Sequence, residues 1–356
     1  MSPLLENVRP GQSRANRLTM VDIARLAGVD VSTVSRALAD SSRVTDETKE
    51  RIRKIVEENG YVVNHGARML RNQMAGQVLI LLPNIAATFF PEVILGIEET
   101  LQKDGISVII GSTQYDKVRE DALARQLLNG AADGVILLTG RIPEVLRSYS
   151  GFEKRIVAVS RAINEPEIPY VNIDNMKAIE TAVLHLVGLG YTDIAHLGGP
   201  KESPTFLARI TGYQVAMEKA GLSAHLRIEA GERFNIDAGR EAMEKLMRGG
   251  KAPAAVVCAS DEMAMGAIRY ARSQGLRVPH DIAFVGFDDI PFAGVYDPAL
   301  TTIRTPRHKM GELGAQMLLK NLKASSFKPK SVIVDHQLII RESCGGQIDQ
   351  TSIPAQ

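Results

Sequence analysis

From Gln77 onward the chain is written as short apolar runs separated by amphipathic segments, and this rhythm constrains the fold more than any other feature. "QVLILLP", "ISVIIGS", "DGVILLT" and "RIVAVSR" have the length and composition of buried strands, and "PEVILGIEETLQKDG" and "REDALARQLLNG" fill the intervals between the first three. A strand apolar on both faces has to be covered on both faces. Strands alternating with helical stretches of about 10–15 residues therefore predict βαβ units and a parallel sheet sandwiched between helices. A second set follows, "DIAHLGGP", "AAVVCAS" and "DIAFVGFDD", interleaved with "ARITGYQVAMEKAG", "DAGREAMEKLMRGG" and "DEMAMGAIRYARSQG". Repetition on a similar scale predicts two doubly wound lobes of similar build rather than one very wide sheet.

The region before Gln77 has a different grammar. Thr19 with Asp22 three residues on has the spacing of a capping box; Ile23, Ala24 and Ala27 form one apolar stripe, and Gly28 ends the helix. Asp30 then starts a second helix whose Val34, Ala37 and Leu38 face inward, leaving Val31, Ser32, Ser35 and Arg36 on the other side. Thr45 opens a third helix running to about Asn59, with Asp46 and Glu47 at its positive end and Gly60 stopping it.

Charge separates the same two regions. The 356 residues carry a net charge of only +1. Up to Ala75, however, twelve Arg and Lys face nine acids, a surplus of three that leaves the remainder at −2. The asymmetry points to an anionic partner at the N-terminal end, although solvated helix faces alone can produce one of this size. Two cysteines, Cys258 and Cys344, cannot build a disulfide framework and fit a reducing, cytoplasmic setting. The first 18 residues read as a disordered leader, and no apolar run is long enough for a signal peptide or a membrane span.

Two short helices joined at a glycine turn, the second polar on its outward face, form a helix-turn-helix that can enter the major groove of double-stranded DNA. Arg36 suits a bidentate contact with guanine, Val31 a thymine methyl, and Ser32 a base edge or a phosphate; Thr19, Thr33 and Ser35 complete the candidate set on these helices. The competing reading is a small three-helix cap on an α/β domain.

"TMVDIARLAGVDVSTVSRAL" followed by "RVTDETKERIRKIVEENGYVVNHGARML" closely resembles the DNA-binding headpiece of the lactose/galactose repressor (LacI/GalR) family of bacterial regulators. The likeness continues through "VNIDN", "HLGGP", "ARITGY", "ASDEMAMGAI", "VGFDD" and "LTTIRTP", from Thr19 to about Glu342. It implies an all-α helix-turn-helix headpiece (19–63), a hinge helix and linker (64–76), and a two-lobed core (77–343) resembling periplasmic sugar-binding proteins, with a C-terminal tail (344–356). It further implies a homodimeric or tetrameric repressor on a palindromic operator. In the hinge, Asn64, Ala67, Leu70 and Arg71 would meet the minor groove, Leu70 wedging between base steps. About eight residues is too short for a stable isolated helix, so its folding can be coupled to DNA. An inert linker is the alternative. The last residues carry no leucine heptads, so a C-terminal coiled-coil tetramer is not expected.

Open α/β sheets bind ligands at the carboxyl ends of their strands. Arg161, Asp261 and Asp288 directly follow strand runs and suit paired sugar hydroxyls, while Phe89 and Phe90 offer aromatic faces for a sugar or sugar derivative. The family resemblance adds Arg209 and Ser260 to the cleft and supports Phe90, Arg161, Asp261 and Asp288. Each has a plainer alternative: core packing for the phenylalanines, a helix bridge for Arg209, a cap on the helix starting at Glu262 for Asp261, and a structural loop pair for Asp288 with Asp289. The chain departs from the family pattern at Ala87, Ser160 and Thr305, which puts an unmodified hexose in doubt.

Catalytic signals are sparse. "GLGYTD" lacks the last glycine of a nucleotide-binding pattern and reads as a helix end; no nucleophile elbow or metal-ligand spacing is present, so no catalytic residue, metal or cofactor is expected. A solute-binding protein with an unrelated helical cap is the competing function, and it would need an export segment.

Overall fold

A computed structural model describes residues 18–38, 41–61, 74–161, 163, 165–248 and 250–346; Asn64, Ala67, Leu70 and Arg71 lie outside the described residues. The chain divides into two units, Met1–Gln73 and Met74–Gln356.

The first unit holds α1 (Met20–Ala27), α2 (Val31–Leu38) and α3 (Asp46–Glu58). The capping box forms: the Thr19 N–H donates to the Asp22 carboxylate at 2.9 Å and the Thr19 hydroxyl oxygen accepts from the Asp22 N–H. Gly28 sits at φ 61°, a left-handed conformation that glycine adopts without a Cβ penalty, and turns the chain into α2. The Asp30 carbonyl accepts the first two helical N–H bonds of α2, from Thr33 and Val34. Ile23, Ala24, Ala27, Val34, Ala37 and Ile52 converge with Val44 and Tyr61 into a core of their own. Three short helices of about 8–13 residues are marginal alone and hold because each buries one stripe against the other two.

The second unit contains two six-stranded sheets. The first has β1 (Gln77–Leu82), β2 (Ser107–Ser112), β3 (Gly134–Leu137), β4 (Ile156–Val159), β5 (Tyr170–Ile173) and β11 (Val332–Val334), in the order β11-β5-β4-β3-β1-β2 and parallel throughout. The second has β6 (Ile194–Gly198), β7 (Arg227–Ala230), β8 (Ala255–Cys258), β9 (Ala283–Asp288), β10 (Thr301–Arg304) and β12 (Gln337–Ile339), in the order β12-β10-β9-β8-β6-β7, with β12 antiparallel at the edge. The β1 side chains alternate in the expected way. Val78, Ile80 and Leu82 pack under α4 (Phe90–Gln102) and α11 (Arg307–Lys323), while Leu79 and Leu81 pack against α5 (Lys117–Leu128), near the short α6 (Glu144–Arg147). The second sheet is covered by α7 (Asn175–Gly188), α8 (Pro204–Lys219), α9 (Ile236–Arg248) and α10 (Asp261–Ser273).

Helix α11 belongs to the first lobe although it follows the last parallel strand of the second. Its Gly311 lies against the Val93 carbonyl of α4, and Gly96 of α4 against the His308 carbonyl, so a Cβ at either position would collide with backbone. The chain therefore passes between the lobes three times: from β5 into α7, from β10 into α11, and from β11 into β12. Those crossings join the lobes by short segments beneath the carboxyl ends of the strands. Among the described residues no helix is long and apolar enough to cross a membrane.

Candidate functional site

Helix α2 presents a mixed surface. Val31 is 38 % exposed and Ser32 and Arg36 are exposed, while Thr33 and Ser35 are half-buried beside the buried Val34 and Ala37. Arg36 Nη1 donates to Ser32 Oγ at 3.5 Å, so the two residues, four apart, share one face. Thr19 is engaged in fixing the start of α1, its hydroxyl donating to Asp22 at 2.7 Å.

In the second unit a cleft opens between the lobes, and strand ends build most of its wall. The segment after β1 supplies Ala87, Thr88, Phe89 and Phe90; β4 is followed directly by Ser160 and Arg161; β8 leads to Ser260 and β9 ends at Asp288. Arg209 reaches in from α8 and Phe234 from the loop after β7. Phe89 and Phe90 meet edge to face at 5.4 Å; Phe90 is buried and Phe89 partly exposed. Both guanidinium groups attend the Phe234 ring, Arg161 at 5.4 Å and Arg209 at 5.9 Å from its centroid, and Arg209 also lies 3.7 Å from the Phe287 centroid. Arg209 Nε donates to Asn175 at 2.9 Å and Nη1 donates to the Ala259 carbonyl, so this residue ties α8 to α7 and β8 as well as facing the cleft.

Asp288 and Asp289 stand at φ 107° and 52°, two successive residues in a region non-glycine residues seldom occupy. The twist separates their side chains. Asp289 turns to Arg304 and Arg341, at 2.7 Å each, whereas Asp288 lines the cleft without a hydrogen-bond partner for its carboxylate among the described residues. Burial pushes the Asp288 carboxyl up to about 7, against the pull of Arg209 and Arg307. Burial also lowers Arg161, and lowers Arg209 to about 10.

Asp261 is not brought to the cleft, nor is it the helix cap. Ser260 is the N-cap of α10, its Oγ accepting from the Met263 N–H at 3.2 Å, and it lines the cleft. Asp261 is fully buried, accepting from the Thr302 hydroxyl at 2.5 Å and the Ile290 N–H at 2.8 Å, and so ties α10 to β10 and to the loop after β9. Burial, with Asp288 nearby, pushes its carboxyl well above the usual range.

Several lining residues escaped the sequence reading. Glu262 accepts from the Thr88 N–H at 3.1 Å and the Thr88 hydroxyl at 2.6 Å, a hydrogen-bonded link from lobe to lobe. Tyr115, Thr205, Phe234 and Ile290 also line the space. Tyr115 follows β2 and Glu262 follows β8, so extending the strand-end rule by two or three residues would have found both. Phe234 follows β7, whose sequence "RIEA" is half-buried along its length and gives no buried-strand signal.

Residues 19–64 match the family described as Bacterial regulatory proteins, lacI family, and residues 183–344 match the Periplasmic binding protein-like domain. The HTH-type transcriptional repressor CytR of Escherichia coli (strain K12) is 35 % identical over 329 residues, which cover 91 % of this chain and 96 % of the relative. The chain belongs to the LacI family. Among solved structures, the transcriptional regulator CelR-cellobiose complex is 28 % identical with a TM-score of 0.70, covering 92 % of this chain and 100 % of that chain. The fold is shared with the lac repressor dimer bound to operator and the anti-inducer ONPF, at a TM-score of 0.81 and 24 % identity over 92 % of this chain and 99 % of that one. This LacI-family protein is a transcriptional regulator, built as a helix-turn-helix DNA-binding domain followed by a periplasmic-binding-protein-like core.

Proposed function

We propose that this regulator is a homodimeric, cytoplasmic repressor that binds a palindromic operator and releases or tightens on it in response to a sugar-like effector held between the lobes of its core. The observation that carries the reading is the outward face of α2, where Val31, Ser32 and Arg36 stand exposed on a helix whose other face is locked into the core of the headpiece. Arg36 would read guanine, Val31 a thymine methyl and Ser32 a base edge or phosphate; Thr33 and Ser35 would sit close to the backbone of the groove. Asn64, Ala67, Leu70 and Arg71 would contact the minor groove as the two copies meet.

The effector part rests on the cleft's mixture of aromatic faces and polar groups. Phe89, Phe90 and Phe234 would cover the C–H faces of a ring, with Asp288, Arg161, Arg209 and Ser260 addressing its hydroxyls. Because only three short crossings join the lobes, a ligand touching both can change their relative rotation and thereby the spacing of the two hinge segments in a dimer. Dimerisation is supported by β2, an edge strand of the first sheet that leaves Ile110 42 % exposed, flanked by the exposed Leu95 and Val118 of α4 and α5.

Fluorescence anisotropy on operator DNA tests the scheme. Arg36→Ala and Leu70→Ala are each expected to weaken specific binding about tenfold or more while leaving effector binding nearly intact. A bound effector is expected to shift operator affinity by about 5–150-fold. A shift smaller than twofold, or equal loss of DNA and ligand binding in both variants, would refute the modular scheme.

A further inference from the structure

The charges around the cleft are unbalanced and unevenly placed. Arg161, Arg209 and Arg307 face Asp288 from β4, α8 and α11, and among the described residues each of the three is hydrogen-bonded only to neutral acceptors: the Thr139 carbonyl for Arg161, Asn175 and the Ala259 carbonyl for Arg209, the Thr88 and Asp289 carbonyls for Arg307. Two carboxylates answer them. Glu262 is held by Thr88, and the Asp288 carboxylate has no hydrogen-bond donor among the described residues. Cations taken partly out of water without a paired anion are costly, so an arrangement of this kind is completed by an anion brought from outside.

Position selects the cation. Adjoining the first chamber is a second, larger space, also walled by both lobes, and Tyr115 and Arg161 line both. The carboxylates Asp288 and Glu262 line only the inner chamber. In the outer one Glu120 is consumed by Thr139 and Arg141, leaving Lys117 and Arg233 with the exposed Glu202 and Glu232. The Arg233 guanidinium lies 5.5 Å from the Tyr115 ring centroid, so residues of opposite lobes meet where the two chambers join. Arg161 is thus a half-buried guanidinium over the Phe234 ring, lying at the junction of an acid-lined pocket and a larger mixed-charge one.

We propose that the effector is a polyhydroxylated molecule bearing an anionic group, a sugar acid or sugar phosphate, with its anionic oxygens on Arg161 and its hydroxyl-bearing body toward Asp288. This rests on the reading of the cleft as the effector site and narrows it. A planar guanidinium can present its N–H fork to a carboxylate or phosphate bidentately, which an isolated hydroxyl cannot match.

The test is calorimetric titration of the full chain at constant ionic strength with inorganic phosphate, D-gluconate, D-glucose 6-phosphate and D-glucose. Saturable phosphate binding in the millimolar range is expected, weakened about tenfold or more in Arg161→Gln and partly restored in Arg161→Lys, with both variants melting as wild type. Gluconate tighter than glucose 6-phosphate would identify a carboxylate, the reverse order a phosphate. Absence of saturable phosphate binding, or binding indifferent to Arg161→Gln, overturns the anionic subsite. If glucose then binds and Asp288→Asn weakens it, the cleft still holds the effector and only this inference fails; if a ligand binds without regard to either residue, the cleft reading fails with it.

Discussion

Replacing Asp288 by asparagine should change how the stability of the core depends on pH. In the folded chain Asp288 is 8 % exposed and its carboxyl is pushed from an ordinary value of 3.8 up to about 7, burial being the main cause. The unfolded chain loses this proton near 3.8, whereas the folded chain keeps it until about 7. Between those values the folded state binds more protons, so stability falls as pH rises through the window and levels off above it. At about 1.4 kcal/mol for each tenfold change in proton activity, keeping the carboxylate ionised at pH 8 costs on the order of 4 kcal/mol relative to pH 4. Asparagine retains the size and a polar tip and removes the titration. The assay is thermal melting of wild type and Asp288→Asn side by side. The wild-type midpoint is expected to fall by about 8 °C more than that of the variant as pH rises from 4 to 8, at the low end of the shift per kcal/mol for a unit of this size. Parallel curves would refute the argument that burial in the unliganded cleft, rather than pairing with Arg209 and Arg307, dominates this group.

Three further perturbations probe other levels of the structure. Thr19→Ala removes the hydroxyl half of the capping box, leaving the residue-19 N–H on the Asp22 carboxylate, and should cost about 1 kcal/mol locally, seen as amide exchange about fivefold faster in the first turn of α1; unchanged exchange would mean that α1 is held by its core stripe and the remaining Asp22 bond. Gly311→Ala drives a methyl into the Val93 carbonyl and should lower stability by about 1–3 kcal/mol, read from the urea midpoint. Asp261→Ala leaves the Thr302 hydroxyl and the Ile290 N–H without their acceptor and should destabilise by about 1–3 kcal/mol through a structural route, with ligand affinity in the surviving folded protein little changed; a selective loss of ligand binding would place Asp261 back in the cleft.

The local rules of the sequence carried far. Capping at Thr19, the turn at Gly28 and the inward Val34 and Ala37 depend on neighbours within a few residues, and the strands β1, β3, β4, β8 and β9 announce themselves because burial on both faces demands apolar residues throughout. Phe89, Phe90, Arg161, Arg209, Ser260 and Asp288 do line one cleft; Arg161 and Asp288 were legible because a chain leaving a parallel sheet must expose its next residues at the carboxyl edge, whereas Arg209 and Ser260 came from the family resemblance alone. Strands rich in polar side chains were silent: β7, written "RIEA", is only half-buried, and β10 is written "TTIR", its Thr302 hydroxyl bonded to Asp261. What only the tertiary structure decided is which way a residue faces when several partners compete for it. Asp261 turned to Thr302 and Ile290, Asp289 to two arginines and Asp288 to the cavity; α11 crossed to the first lobe, and Thr88 met Glu262 across 174 positions of sequence. Such choices rest on long-range geometry, where a buried charge settles wherever donors happen to converge, and no local pattern of residues encodes that convergence.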